Sequence, residues 1–195
     1  MKDESLPTQY FDKIYQDNED PWNFERSDYE REKYATTLAA LPRPMYDRAF
    51  EIGCSIGVLT QQLAPRCRRL LSVDGSEAPL RKARARLHDQ PHVQFAPMKI
   101  PDTFPDERFD LILVSEVGYY WSHPDLAQAQ QRIGEALLPG GHLLLVHWTP
   151  YVEDYPLTGD QVHEAFSAWA DNQSLRHRHH HRAAQYRLDL WEAPS

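Results

Sequence analysis

Between Arg48 and Trp148 short apolar runs alternate with longer amphipathic ones, and this alternation constrains the fold more than any other feature of the chain. RAFEIG (48–53), RRLLSVDGS (68–76), HVQFAPM (92–98), RFDLILVSEV (108–117) and HLLLVHW (142–148) read as strands. VLTQQLAPRC (58–67), EAPLRKARARLHD (77–89) and HPDLAQAQQRIGEALLPGG (123–141) read as helices, the last closed by a Pro-Gly-Gly turn. Strands and helices that alternate in this way imply a doubly wound α/β fold, a mostly parallel sheet with helices on both faces. A helix from Asp160 to Ala170 follows, then two strands, Leu175–Arg182 and Tyr186–Trp191, joined near Ala183-Ala184. So short a connection demands antiparallel pairing, so the sheet should reach seven strands and finish with an antiparallel C-terminal strand.

The first 41 residues read differently. FDKIYQ and SDYEREKYATTLAAL are helical, with Tyr29, Lys33, Tyr34, Thr37, Leu38 and Leu41 at helical spacing. Ser27 is the expected N-cap and Glu30, three residues on, is placed to close a capping box. Pro42 and Pro44 end the helix. The intervening DNEDPWNFER is a loop with two large aromatics. At 195 residues, with no repeat or low-complexity linker, one domain (1–195) is expected, with 1–41 as a helical N-terminal segment.

Composition narrows the partners. The formal net charge is −8, which argues against nucleic acid, since a nucleic-acid binder needs a basic face. No apolar run is long enough to span a membrane, and the acidic, polar start lacks the pattern of a secretory signal. Only two cysteines occur, Cys54 and Cys67, in no disulfide or metal pattern, which suits a reducing cytoplasm. HRHHHR (177–182) is the one biased stretch. Strand alternation would put His177, His179 and His181 on one face, as an adventitious metal site or, the preferred reading, as an edge strand kept polar against sheet-to-sheet association. No metal is expected.

In open α/β sheets ligands bind beyond the C-terminal strand ends. The first strand ends Glu51-Ile52-Gly53-Cys54-Ser55-Ile56-Gly57, where glycines allow a tight turn and close approach of a ligand. Its GxxxG form departs from the GxGxxG of dinucleotide sites. The second strand ends at Asp74, a carboxylate able to accept hydrogen bonds from both hydroxyls of a ribose; Ser76 can serve instead as the cap of the next helix. Met98 ends the third strand as an adenine wall or as core. The fourth ends SEVGYYW (115–121), a carboxylate beside aromatic rings, which together attract cations. The fifth ends with His147, on the same edge as Glu116.

EIGCSIG, Asp74, SEV and LLPGG together resemble class I S-adenosylmethionine (SAM)-dependent methyltransferases, whose fold is Rossmann-like. DPWNFERSDYEREKY, SEVGYYW, LLPGGHLLLVHW, YPLTGDQVH and YRLDLWE narrow the resemblance to the NodS-like family, from about Tyr10 to Glu192. Its rhizobial member N-methylates the freed amino group of a chitooligosaccharide. The resemblance implies SAM as cofactor and N-methylation of an amine on a small molecule, amino sugar or oligosaccharide, by a monomer or homodimer. O-methylation of a small metabolite is the alternative, and a non-catalytic SAM-binding protein the second. By position, Glu51, Gly53, Cys54, Ser55 and Gly57 belong to the cofactor site, the last four at its methionine part. Asp74 holds the ribose with Gly75 and Ser76 beside it, and Met98 flanks the adenine. Ser115 and Glu116 lie near methionine and acceptor, and Trp22, Tyr29 and Tyr34 form a lid over the cofactor. Glu116, His147 and Tyr119 are the catalytic candidates, to take a proton from the amine or to orient it. Trp121 replaces a smaller aliphatic residue of many relatives and narrows the acceptor pocket.

Overall fold

The computed structural model describes residues 4–195. The elements run α1 (Thr8–Asp17), α2 (Asp28–Ala39), β1 (Ala49–Ile52), α3 (Val58–Leu63), β2 (Leu70–Asp74), α4 (Glu77–Arg86), β3 (Val93–Pro97), β4 (Phe109–Ser115), α5 (His123–Ala136), β5 (Leu137–Trp148), α6 (Gly159–Asn172), β6 (Arg176–Arg182) and β7 (Tyr186–Glu192). They build one seven-stranded sheet of order β3-β2-β1-β4-β5-β7-β6. The first five strands are parallel to their neighbours, while β7 runs antiparallel to both β5 and β6.

The inner stretches of β4 (111–114) and β5 (143–146) are apolar without a break because both faces are covered. Ile112 and Val114 of β4, with Leu143 and Leu145 of β5, pack against Ala129 and Ile133 of α5 and Phe166 of α6. Their alternate neighbours Leu111, Leu113, Leu144 and Val146 pack on the other face against Tyr34 of α2 and Leu59 and Leu63 of α3. Each such aliphatic side chain contributes about 1.5–3 kcal/mol on burial. Strands buried on both faces read as runs rather than as an alternation.

Two local expectations change. The α5 helix stops at Ala136, and Leu137–Gly141 already belongs to β5. Pro139 disfavours a helical Leu138, and Gly140 takes φ 66°, so the chain turns into the strand early. At the sheet edge, β6 is exposed as expected, but a bulge between His177 and His179 breaks its alternation. His177 and His180, rather than His177, His179 and His181, turn together toward Asp189 of β7. Among the described residues no group of three or more His, Cys, Asp or Glu side chains is arranged to hold a metal, and no helix is long and apolar enough to cross a membrane.

The chain winds outward from β1 to β2 and β3, then returns to lay β4 on the other side of β1. The loops after β1 and β4 therefore leave in opposite directions, and a crevice opens between them at the strands' C-terminal ends.

Candidate active site

The loop after β1 is shaped by its backbone. Gly53 has φ +89°, and a Cβ there would lie 2.4 Å from Val117 Cγ1 and 2.5 Å from the Ser115 carbonyl. Any side chain would push the two loops at the crevice apart. Gly57 (φ +77°) precedes α3, and its missing Cβ lets α4 approach at Ala83. Ser55 and Glu116, neither a glycine, also hold positive φ, 48° and 56°. Such strain, about 1–3 kcal/mol per residue, persists where the surroundings over-determine it and gathers at functional sites.

Asp74 closes β2 beneath this loop. Its Oδ2 accepts the Ser55 N–H at 3.1 Å and its Oδ1 the Ser76 N–H at 3.0 Å. Burial pushes its carboxyl up to about 6, against the lowering effect of these backbone donors. Ser76 caps α4 through its hydroxyl, which leaves the Asp74 carboxylate directed at the crevice. Gly75 faces open space, with nothing within 4 Å of a built Cβ.

The N-terminal helices close the crevice from above. Ser76 Oγ donates to Asp12 at 2.5 Å, Tyr15 Oη lies 2.6 Å from Ser55 Oγ, and the Trp22 ring packs edge-on to Tyr15. A cavity of about 290 Å³ remains between these helices and the strand ends, lined by Gly53, Ser55 and Asp74 at one end and by Tyr29, Trp148 and Tyr155 at the other. A smaller space of about 90 Å³ adjoins it, lined by Asp74, Gly75, Met98, Ile100 and Val117 and roofed by Phe11.

Glu116, Lys33 and Glu30 occupy the middle of the cavity wall. Lys33 Nζ donates to Glu116 Oε1 at 2.5 Å and to Glu30 Oε1 at 3.0 Å. Glu116 Oε2 accepts the Tyr119 hydroxyl at 2.7 Å and the Trp148 N–H at 2.8 Å. Burial alone would lower Lys33, but the two carboxylates outweigh it and hold the ammonium protonated. Burial raises Glu30, with Lys33 opposing. Burial and the Glu116 charge hold the Tyr119 phenol far above its ordinary value, so it stays a donor. The Ser27 hydroxyl caps α2 as expected. Glu30 leaves the capping box unclosed, because its side chain turns inward to Lys33.

His147 lies behind this wall. It is fully buried, and both ring nitrogens are engaged. Nε2 accepts the Gly118 N–H at 3.1 Å, so the proton of the neutral ring sits on Nδ1 and is donated to His163 Nε2, also at 3.1 Å. His163 Nδ1 in turn donates to Asp189 Oδ2 at 2.6 Å. Burial lowers both histidines, for His147 with the help of the neighbouring His163 and Lys33. Burial would raise Asp189, but bonds from His163 and His180 and the Arg187 charge prevail and hold it low. Gly118 must be glycine here, since a Cβ would stand 2.6 Å from Val162 and 2.9 Å from His147 Nε2.

The structure thus brings Trp22, Tyr29, Gly53, Ser55, Asp74, Glu116 and Tyr119 to the main cavity, and Gly75 and Met98 to its annexe. Tyr34, Cys54 and Ser115 line only a small void behind the glycine loop. Ser76 stands under α1, and Gly57 serves helix packing. Glu51 and His147 are placed away from the cavity. Glu51 is fully buried, accepts the Thr60 and Ser72 hydroxyls at 2.7 Å each, and is pushed by burial up to about 7. Trp121 is buried in the core beside α5 and borders the annexe, not the acceptor end. Sequence reasoning missed Glu30, Lys33, Tyr15, Trp148 and Tyr155 as cavity residues. One signal was present: a lysine in the apolar stripe of α2 must be buried, and a buried lysine needs carboxylates.

Three comparisons bear on this arrangement. The family model described as nodulation protein S (NodS) matches residues 9–146. Nodulation protein S of Rhizobium tropici is 33% identical over 130 residues, covering 65% of this chain and 54% of the relative. The chain spans about half the length of the curated relatives it matches. Among solved structures, the N-methyltransferase NodS from Bradyrhizobium japonicum WM9 in complex with S-adenosyl-L-homocysteine (SAH) superposes with a TM-score of 0.84 at 25% identity, over 96% of this chain and 99% of that one. A putative methyltransferase from Pseudomonas syringae gives 0.72 at 39% identity, over 84% of this chain and 98% of that one.

Proposed function

The chain belongs to the NodS family, and from that membership we propose that it is a SAM-dependent methyltransferase acting on the amino nitrogen of a small molecule or a deacetylated amino sugar or oligosaccharide. The observation that carries the proposal is the single cavity joining Asp74 and the glycine loop to a carboxylate-and-aromatic wall.

The residues present fit the cofactor. Each Asp74 oxygen accepts one backbone N–H and keeps a lone pair for a ribose hydroxyl. The apolar annexe at Met98, Ile100 and Val117, with open space beside Gly75, accommodates an adenine. Gly53 and Ser55 adjoin the space for the amino-acid part. When bound, SAM supplies an electrophilic methyl group on a sulfonium.

The chain's own residues align and exclude. Displacement needs the acceptor lone pair in line with the methyl group and water kept out. Tyr29, Trp148, Tyr119 and Tyr155 wall the acceptor end. Glu116 is held by Lys33, Tyr119 and Trp148, and that fixed carboxylate orients the N–H bonds of the amine while the Tyr119 oxygen accepts a further one. His147, with no free nitrogen, is a positioning residue: it anchors the Gly118 turn that carries Tyr119. Helices α1 and α2 act as the lid of a single domain. Both cysteines are unpaired and buried, in keeping with a reducing cytoplasm.

Methyl-labelled SAM and a fully deacetylated chitooligosaccharide test the reading, with products resolved as N–CH3 or O–CH3. Label on nitrogen is expected, with turnover falling at least about tenfold in Glu116→Gln and in Tyr119→Phe. Label on oxygen would favour the O-methyltransferase alternative, and near-normal turnover in both variants would remove their roles.

A further inference from the structure

The cavity wall contains more negative than positive charge. Glu30 and Glu116 share the one ammonium of Lys33, the only cationic side chain among the described residues that line the cavity. Lys33 is 2% exposed and Glu30 7%. Glu30 Oε2 lies 3.0 Å from the ammonium outside hydrogen-bonding geometry, and the Tyr34 hydroxyl is its other polar neighbour. The Tyr29 ring adds its face to the same spot, 5.1 Å from Lys33 Nζ, with its own hydroxyl unpartnered. With both carboxylates ionised, the cluster carries one uncompensated negative charge, removed from water and bordering the same cavity as Gly53 and Ser55. A buried charge in that state is stabilised by a ligand that brings a positive one.

Resting on the cofactor reading above, we infer that Glu30 and Lys33 of α2, acting with Glu116, are specificity-determining residues for the charge of the bound nucleoside, holding the cationic methyl donor in preference to its neutral product. SAM carries a sulfonium, an ammonium and a carboxylate, a net charge of about +1 near pH 7, whereas SAH has lost the sulfonium and is neutral overall. In transfer the carbon–sulfur bond breaks with its electron pair left on sulfur, and the carbon–nitrogen bond forms from the nitrogen lone pair. The positive charge therefore passes from sulfur to the acceptor nitrogen. The three-residue cluster stays matched until the methylated ammonium departs. SAH then faces an unmatched negative wall, which favours its release. Since Glu30 and Lys33 both ride on α2, lid seating and recognition of donor charge are one event.

Calorimetric titration of the full chain near pH 7 with SAM, SAH and sinefungin tests the inference, because sinefungin replaces the methylsulfonium with a protonated amine. Glu30→Gln is expected to weaken SAM and sinefungin about tenfold, the order of effect of removing one unit charge from a site shielded from water. SAH should change less than about twofold, and Glu30→Asp should restore most of the preference. Should Glu30→Gln fail to fold, Glu116→Gln supports the same comparison. Equal weakening of all three ligands, or none, overturns the inference and leaves the cofactor reading standing. A wild-type protein that binds neither SAM nor SAH overturns both.

Discussion

Two buried polar clusters flank the turn from Glu116 to Tyr119, and they differ in whether their hydrogen-bonding capacity is filled from within. On the cavity side, Glu30, Lys33 and Glu116 keep a net charge, an unpaired oxygen on Glu30 and an unpartnered Tyr29 hydroxyl close by. On the far side, His147, His163 and Asp189 close on themselves, with each ring nitrogen engaged and Asp189 also taking bonds from His177, His180 and Arg187. Both clusters combine carboxylates with basic side chains, and each has one member at the C-terminal end of a strand, Glu116 just after β4 and His147 near the end of β5. An open polar cluster marks where a ligand completes the structure, and a closed one marks where the fold has completed itself.

That contrast can be broken in several ways. The largest expected effect belongs to the sealed cluster. Asp189→Asn leaves four neighbouring cationic or donor groups, His163, His177, His180 and Arg187, without their carboxylate and should cost about 3–5 kcal/mol in denaturant unfolding, while SAH binding by the folded protein stays within about threefold. A stability loss below about 1 kcal/mol would erase the distinction. Next, Asp74→Asn acts on the open side and should weaken SAH by about tenfold to a hundredfold, the worth of a charge-assisted hydrogen bond. His147→Gln sharpens the contrast, since its amide oxygen can still accept the Gly118 N–H. It should cost about 1 kcal/mol, and His147→Ala about 2–3 kcal/mol, both read from unfolding midpoints. Equal costs would mean that the Gly118 bond is not what His147 contributes.

The smallest effect is a pH dependence, and its sign follows from Asp74. Its carboxyl is raised to about 6, and ribose hydroxyls bond better to the ionised form. SAH affinity should therefore be full above about pH 7 and decline below about pH 6, by up to about tenfold per unit. The Asp74→Asn variant should lack this decline, and an unchanged wild-type affinity from pH 5 to pH 8 would count against Asp74 as the ribose ligand.

Much of the scaffold was legible because its signals are local. The apolar runs marked β1, β2, β4 and β5, the Ser27 and Ser76 caps needed only their neighbours, and the short connection at Ala183-Ala184 forced β6 and β7 into antiparallel pairing. The β6 bulge was not legible, because it comes from the register with β7 at Trp191 and Leu190, whereas the early end of α5 was signalled locally by Pro139 and Gly140 and passed over. The His147 case is subtler. Alternation along β5 puts His147 on the same face as Leu143 and Leu145, and that parity is plain in the sequence. Only the fold reveals that this face meets α6 and His163 rather than the cavity. Lys33 was visible as an oddity in an apolar stripe, but its partner Glu116 lies 83 residues away.

The proposed SAM site, the cavity between the N-terminal helices and the strand ends, is anchored on Asp74. Calorimetric titration of the wild-type chain with SAH at pH 8, repeated on Asp74→Asn, tests it most directly. One saturable site per chain is expected in the wild type, with a loss of at least about tenfold in affinity in the variant. No binding at millimolar SAH, or equal affinity in the two proteins, would contradict it.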